Sequence, residues 1–301
     1  MNDSQSPLSS GSVAVTILVA VRNEAANIVR CLDACQPASR VVVLDSQSTD
    51  RTGELAQERG AEVVQFEHQG GYPKKRQWAL ETLNFHTDWV LLLDADEVIP
   101  TDLWREIVDV VDSMTVCPAY LIRKGFHFLG RRIRFGGFSH QAVLLVRPEK
   151  VRFEKLIDVP GDTLDMEVHE RVIVNGPIGV LKTPLIHEDF KGLEAYIDKH
   201  NRYSTWEAHV RYNLFNNGRY GEASIRPRLF GNAQERRRWL KKIAIKLPGE
   251  PWLWFTYHFL FRLGFIEGRP GLIACQIRQQ YISNVRAKIY QLRISSGEML
   301  N

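Results

Sequence analysis

Short apolar runs alternate with segments of helical pattern through the first hundred residues of the chain. The runs cover residues 13–21, 40–45, 62–66 and 88–93, and each has the length of a buried strand rather than of a helix. The segments between them have the length and the capping residues of helices. Because strands joined through helices cross over with one hand, this order predicts an α/β fold with a mostly parallel sheet and flanking helices.

The pattern changes after residue 118. Two further strands, over residues 120–123 and 141–147, flank a loop rich in Gly and Arg at 125–139, and a long helix is predicted over 193–213. The sequence therefore predicts a disordered N-terminus, one catalytic domain and a helical C-terminal extension. Their bounds are 1–12, 13–215 and 216–301.

The composition is that of an ordinary globular protein, with 44% hydrophobic and 25% charged residues among 301, and it excludes a disordered or fibrous chain. The net charge of +4 is unevenly divided. Residues 223–301 carry 14 Lys and Arg against four Asp and Glu, a net charge of +10, which leaves −6 for the first 222 residues. The polar N-terminus lacks an apolar signal segment, and no apolar run reaches the roughly 18 residues of a spanning helix. We therefore expect a cytoplasmic chain.

Acidic residues follow three of the predicted strands. Asp94 and Asp96 close the strand at 88–93, Asp45 ends the second strand, and Glu24 follows the first. Ligands of open α/β sheets bind at the carboxyl ends of strands, and paired carboxylates there are typical of a Mg²⁺ or Mn²⁺ site. A solvated acidic turn is the alternative for the pair. Asp45 lies too early to cap the next helix, which favours contact with a nucleobase or ribose over a structural role.

Three motifs occur in order along this half of the chain. They read AVRNEAANI at residues 20–28, VLDSQSTDRT at 43–52 and LLLDADE at 91–97. Together they resemble the N-terminal half of family-2 glycosyltransferases, which have the GT-A fold. The segments at 168–171 (VHER) and 185–204 resemble the branch of that family that builds lipopolysaccharide inner cores, which includes glucosyltransferases that add a β-1,4-linked glucose to heptose.

The resemblance implies a nucleotide-sugar donor, usually UDP-linked, a divalent metal and inversion at the anomeric carbon. It places Asp45 and Glu24 on the nucleoside and Asp94 near the ribose or sugar. Asp96 is the implied ligand of Mg²⁺ or Mn²⁺ at the diphosphate. The residues predicted to bind the nucleotide sugar are Ala20, Arg22, Glu24, Asp45, Lys75, Asp94 and Ala95.

A catalytic base and a second metal ligand are predicted further along. The family supplies its base from an acidic pair ahead of an Arg and a Gly, and residues 169–171 (His-Glu-Arg) fit with His in place of the first acid. Glu170 is therefore the predicted base, with Asp165 and Glu167 as rivals and an exposed acid without a role as the alternative. His187 follows an apolar run, and imidazole suits Mn²⁺, so it is the second predicted ligand; a structural histidine is the alternative.

Two groups of cations are further candidates for ligand binding. One group either lies near the diphosphate or forms a solvated face, and it consists of Lys74, Lys75 and Arg76. The other lies in the Gly- and Arg-rich loop and is a candidate for gripping a phosphorylated acceptor; it consists of Arg131, Arg132 and Arg134.

The tail combines cations with aromatic residues. Apolar residues recur at helical spacing through residues 234–246, with six cations between them, and residues 252–265 are dense in aromatics. This composition is typical of a helix that lies in the plane of an anionic membrane. The alternatives are packing on the catalytic core or a homo-oligomer contact. A nucleic-acid partner is the third interpretation, and we do not expect one.

These features predict an inverting, metal-dependent glycosyltransferase that is peripheral on the cytoplasmic face of the inner membrane. It would move a sugar from a UDP-linked or similar donor to a lipid-linked or lipopolysaccharide-core glycan. One alternative is a sugar-nucleotide nucleotidyltransferase, but those enzymes carry a Gly-rich basic loop after the first strand, and residues 20–28 have none. The other alternative is a catalytically inactive membrane-binding module.

Overall fold

The computed structural model describes residues 12–156, 165, 167, 170–218, 225–231 and 233–297. The predicted disordered N-terminus lies outside this part except for residue 12. The strands are β1 (Val13–Val21), β2 (Ala38–Asp45), β3 (Glu62–Gln65), β4 (Trp89–Asp94), β5 (Glu97–Val98), β6 (Ala119–Phe128), β7 (Arg131–Arg132), β8 (His140–Val146), β9 (Val151–Phe153), β10 (Val172–Val174), β11 (Ile178–Val180) and β12 (Leu185–His187). The α-helices are α1 (Ile28–Asp33), α2 (Thr52–Glu58), α3 (Lys75–Thr82), α4 (Thr101–Val111), α5 (Gly192–Asn217), α6 (Ala233–Ala244), α7 (Glu250–Thr256) and α8 (Gly268–Ser295).

Four strands form the parallel half of the main sheet, in the order β3-β2-β1-β4. The inner strands β1 and β4 are apolar runs buried on both faces, as strands covered by helices on both sides must be. The main hydrophobic core lies against them and includes residues of α1 and α4. The strand and helix alternation predicted from the sequence is confirmed here.

The other half of the sheet is mixed. Strand β8 runs antiparallel to both β4 and β6, and β12 runs parallel to β6 and antiparallel to β5. The prediction of a mostly parallel sheet therefore holds only for the first half. The reason is the connection between β6 and β8, which contains no helix, and parallel neighbours need a crossover. The predicted strand at 120–123 is also longer than expected, because β6 continues to Phe128 into the predicted loop.

Close contact between β6 and β12 depends on a glycine. A Cβ atom at Gly125 would lie 2.7 Å from the carbonyl oxygen of Leu185, too near for any other residue. The register that results sets His187 opposite Phe126 of β6 and opposite Glu97 of β5. Gly125 thus allows the end of β12 to reach the edge of the sheet where the acids lie.

The C-terminal helices pack on the long helix α5. Ala208 of α5 lies in one apolar cluster with Tyr281, Ile282 and Val285 of α8. Beneath them, the guanidinium of Arg211 is buried between the carboxylates of Glu207 and Glu250. The predicted helical extension is confirmed, and part of it packs on the core. Within the described ranges no helix has the length and apolar character needed to cross a membrane.

Candidate active site

The carboxyl ends of the parallel strands bring several predicted site residues to one edge of the sheet. In the register of the sheet, Val21 of β1 pairs with Asp45 of β2, and Ala20 pairs with Asp94 of β4. His187 reaches the same edge at the end of β12. Since the residues come from strands far apart in sequence, the edge forms only when the sheet does.

Asp45 is buried and holds the turn that follows β2. Its Oδ1 accepts a hydrogen bond from the backbone N–H of Ser48 at 3.2 Å and another from the Ser48 hydroxyl. Its Oδ2 accepts one from Gln65 at 3.1 Å. Asp45 does not cap α2, as expected, but it does fix the loop between β2 and α2. A structural role therefore exists beside the predicted contact with the nucleoside.

Glu24 belongs to a polar cluster that joins the loop after β1 to the loop after β12. Its carboxylate accepts hydrogen bonds from Lys191 at 2.5 Å and from Asn27 at 2.8 Å. The same Asn27 amide donates to Asp189 at 2.9 Å, and its oxygen accepts the backbone N–H of Phe190. Burial raises the pKa of Glu24 above its ordinary value, against the opposing effect of Lys191. The buried Asn27 was not singled out in the sequence, although it belongs to the first motif.

Asp94 is held by two cations. Its carboxylate meets Arg76 at 2.6 Å and Lys124 at 2.6 Å. Burial opposes ionisation of Asp94, but Lys124 and Arg76 outweigh it and hold its pKa well below the usual range. Lys124 also contacts the fully buried Glu97 at 2.7 Å. Lys124 was missed by the sequence analysis, and a lysine within the apolar strand β6 was the signal for it.

A polar atom of Asp96 lies close to a polar atom of His187. Asp96 Oδ1 lies 3.5 Å from His187 Nδ1, and neither atom has a hydrogen-bond partner among the described residues. Burial lowers the pKa of His187, but Asp96 and Glu97 outweigh it and the pKa is raised. Glu97 Oε1 also lies 3.5 Å from His187 Nδ1. A buried carboxylate oxygen and an imidazole nitrogen that lack a hydrogen-bond partner fit a divalent cation.

The two side chains do not make a complete metal centre by themselves. In the described part of the chain, no group of three or more His, Cys, Asp or Glu side chains is arranged to hold a metal ion. Mg²⁺ is commonly bound by one or two protein ligands together with substrate phosphates and water. The donor set therefore fits a metal that arrives with a diphosphate.

Lys199 was also missed by the sequence analysis. It extends from α5 so that its Nζ lies 3.9 Å from Asp96 Oδ2. Burial lowers the pKa of Lys199, but Tyr203, Asp96 and Glu24 outweigh burial and raise it. The cation is thus a third polar group beside the Asp96 and His187 pair, and only the packing of α5 on the sheet brings it there.

The cations before and within α3 pair with the acidic run that precedes β10. Lys74 meets Glu170 at 3.0 Å, and Lys75 meets Asp165 at 3.0 Å and the carbonyl oxygen of Val21 at 2.7 Å. Glu167 accepts the backbone N–H groups of Arg76 and Gln77, which are free at a helix N-terminus. The alternative of a solvated face for Lys74, Lys75 and Arg76 is wrong, because all three are buried.

The remaining predicted residues differ in exposure. Arg22 is exposed just after β1. Ala20 in β1 and Ala95 just after β4 are buried. The Glu170 side chain is only 3% exposed and is paired with Lys74, whose ammonium also lies 4.7 Å from the centre of the Trp206 ring. The alternative of an exposed acid is therefore wrong for Glu170. Its role as base stays a prediction, and it requires the carboxylate to leave Lys74.

The fold and this edge define an α/β protein with a polar ligand site at the carboxyl ends of parallel strands. The family model for glycosyl transferase family 2 matches residues 16–166, half of the chain. The chain belongs to that family and is a glycosyltransferase. The family predicted from the motifs is confirmed, and so are the α/β sheet with flanking helices and the helical C-terminal region.

Two glycosyltransferases are similar to this chain over most of its length. The lipopolysaccharide core biosynthesis glycosyltransferase LpsC of Rhizobium meliloti is 26% identical over 89% of this chain and 89% of its own length. An uncharacterized glycosyltransferase of Rickettsia felis is 27% identical over 87% of this chain and 84% of its own. Among solved structures, glucosyl-3-phosphoglycerate synthase from Mycobacterium tuberculosis, in complex with Mn²⁺, UDP and glucosyl-3-phosphoglycerate, is 23% identical with a TM-score of 0.31. That match covers 40% of this chain and 46%, less than half, of the synthase.

Proposed function

We propose that this glycosyltransferase moves a sugar, with inversion, from a UDP-linked donor to a lipopolysaccharide-core or other lipid-linked glycan, with Mg²⁺ or Mn²⁺ as cofactor. The observation that carries the proposal is that two buried atoms beside the strand ends, Asp96 Oδ1 and His187 Nδ1, lie 3.5 Å apart and lack a hydrogen-bond partner. The acceptor class is supported by similarity to LpsC over most of both chains. Membership of the family argues against the nucleotidyltransferase alternative.

The proposed donor site lies at the carboxyl ends of the parallel strands. Asp45 and Glu24 receive the nucleoside, with Ala20 and Arg22 at the end of β1 and Ala95 below the sugar. Asp94 orients the donor ribose or sugar while Arg76 and Lys124 keep it ionised. Lys75 donates to the carbonyl oxygen of Val21 and pairs with Asp165, and through these contacts it fixes the end of β1 beside the donor.

The diphosphate lies beside Asp96 and His187. These two residues would hold a divalent cation, which would supply Lewis-acid stabilisation of the charge on the departing nucleoside diphosphate. Lys199 adds a fixed positive charge at the same place, which favours the transition state over the ground state. Glu170 is the proposed base for the acceptor hydroxyl.

Lys199→Met is expected to lower kcat/KM for the donor by about 10- to 100-fold, because a charge near the leaving group is lost. Lys199→Arg should retain most of the activity. Since the Lys199 side chain is partly exposed and its ammonium lies 3.9 Å from Asp96 Oδ2, the thermal midpoint should hardly change. Initial rates over a range of donor concentrations measure the effect, and a wild-type kcat/KM in Lys199→Met would remove Lys199 from the site.

The proposed function is tested with a panel of nucleotide sugars. The full chain is incubated with each donor and with Mn²⁺, Mg²⁺ or chelator, and hydrolysis and binding are measured. We expect a UDP-sugar to be preferred and chelator to abolish both signals. The anomeric configuration of a product made with an acceptor glycan reports inversion. Absence of binding and hydrolysis for every donor would favour the inactive membrane-binding module.

Work on a lipid-linked acceptor also requires the enzyme to meet a membrane. The proposed location is the cytoplasmic face of the inner membrane, as a peripheral protein. Light scattering of the full chain measures whether it forms a homo-oligomer.

A further inference from the structure

Large apolar side chains are exposed together in one part of the tail. Between residues 252 and 266 the exposed ones include Phe261, at 75% of its full area, and Trp252, at 67%. Proteins rarely leave a contiguous apolar patch of this kind in water unless it meets a partner or a membrane. The full set is Trp252, Leu253, Tyr257, Leu260, Phe261, Leu263, Phe265 and Ile266.

The Gly- and Arg-rich loop is fastened to this part of the tail. The buried carboxylate of Glu267 accepts the backbone N–H groups of Arg134 and Phe135, at 2.6 and 2.8 Å. Gly136 donates to the carbonyl oxygen of Arg262 at 2.8 Å and accepts a hydrogen bond from His258 at 2.6 Å. Residues 129–137 and 252–266 therefore make one surface, named here the loop–tail surface. The loop adds exposed Leu129 and Phe135 to it.

The charge of the loop–tail surface has a single sign. Neither segment contains an Asp or Glu, and the neighbouring Glu267 is buried and bonded to the loop. Arg131 pairs with Glu267 at 3.2 Å. The other exposed arginines in or beside the surface are Arg132, Arg134, Arg262 and Arg269. Apolar side chains ringed by arginines match an anionic bilayer, where the rings enter the headgroup boundary and the cations meet phosphate.

The surface adjoins the candidate active site through a chain of aromatic contacts. The rings of His187 and Phe126 lie 6.3 Å apart, those of Phe126 and Phe138 5.7 Å apart, and those of Phe138 and Trp254 6.0 Å apart. A bilayer on the loop–tail surface would therefore lie next to the His187 side of the candidate active site, where a lipid-linked acceptor would enter.

Two cations of α6, the basic helix that was predicted to meet lipid, form ion pairs within the protein. Arg238 is buried in an ion pair with Glu154, and Lys241 meets Glu207 at 2.7 Å. These cations neutralise buried acids of the core, so the prediction that the cations of residues 234–246 face lipid is wrong for both. Leu240 and Ile243 of α6 remain exposed, which makes α6 the natural comparison.

We infer that the loop–tail surface, rather than α6, is the face by which this protein binds an anionic bilayer. The inference deepens the proposed membrane location and rests on it. It does not depend on the identity of the donor or of the glycan.

Flotation of the full chain with vesicles tests the inference. Vesicles of phosphatidylglycerol and phosphatidylcholine in equal parts should carry the protein, and pure phosphatidylcholine or high salt should release most of it. The double variant Trp252→Ser with Phe261→Ser should lower binding at least about 10-fold, since two exposed rings no longer enter the boundary. The triple change of Arg132, Arg134 and Arg262 to Gln should lower it on the order of 100-fold, at about a factor of five for each arginine.

The matched control is Leu240→Ser with Ile243→Ser on α6, which should bind as the wild type does. An equal loss in this control, or no binding by the wild type, would overturn the inference. A dimer in solution that the Trp252 and Phe261 variant dissolves would instead assign the surface to a second copy of the chain, and would overturn it as well. Donor hydrolysis without lipid should be unchanged in the Trp252 and Phe261 variant. If the wild type bound the vesicles but hydrolysed no nucleotide sugar, the result would count against the proposed function and leave the membrane inference standing.

Discussion

Asp96→Ala is expected to abolish metal-dependent binding of UDP and to lower kcat/KM for the donor about 10³-fold. Asp96 Oδ1 is buried, lacks a hydrogen bond and lies 3.5 Å from His187 Nδ1, so the carboxylate is the main anionic ligand that the edge offers to a cation. Without the Asp96 carboxylate, His187 would be the one proposed protein ligand left for the cation, and the charge that develops on the leaving group would be less stabilised.

Calorimetry of UDP binding with and without Mn²⁺ measures the first effect, and the shift of the thermal midpoint on adding both ligands gives an independent measure. Asp88→Ala is the matched control, because Asp88 is exposed and precedes β4 at its opposite end. It should leave binding and rate unchanged. If Asp96→Ala still bound UDP in a Mn²⁺-dependent manner, the metal site would have to be sought elsewhere.

Glu170→Gln is expected to retain donor binding and to lower turnover by about 10²- to 10⁴-fold, the usual contribution of a general base. The change keeps the shape of the side chain and removes its ability to accept a proton. Glu170 is paired with the buried Lys74 at 3.0 Å, so a loss of activity could also come from the broken ion pair.

Lys74→Met separates these two explanations. It breaks the same ion pair but leaves the carboxylate, so it should lower the thermal midpoint about as much as Glu170→Gln while keeping far more turnover. Equal losses of turnover in both variants would make Glu170 a structural partner of Lys74. Turnover near the wild-type value in Glu170→Gln would move the base to Asp165 or Asp189. Asp189→Asn would be the next variant, since Asp189 lies in the Glu24 and Asn27 cluster.

The uneven charge of the chain has a different meaning in the folded protein. The tail carries +10, but some of its cations face acids of the core, as Arg238 does with Glu154 and Lys241 with Glu207. A count along the chain cannot separate such internal pairs from cations on the surface. The arginines beside Phe261 and Phe135 remain at the surface, and their position favours a membrane there.

In the candidate active site, too, the sequence predicted some of the residues and missed others. The acids at the ends of β2 and β4 were predicted from their place after apolar strands, and the register of β1 with both strands brings them together. Lys199 and Lys124 do not follow an apolar strand of the parallel half. They lie on α5 and β6, and the packing of those elements brings them to the edge. The antiparallel course of β8 was missed for a similar reason, since apolar runs carry no sign of direction.

The order of motifs and the length of the apolar runs were enough to identify the family, the α/β class and the acids at the strand ends. These properties are local, because strand length, capping and motif spacing depend on residues that are close together in the sequence. The tertiary structure alone decided which charges neutralise each other, which atoms of Asp96 and His187 stay unbonded, and which apolar rings face water. Ion pairs, burial and exposed surface depend on residues distant in the chain, and their energies arise only when folding brings those residues into contact.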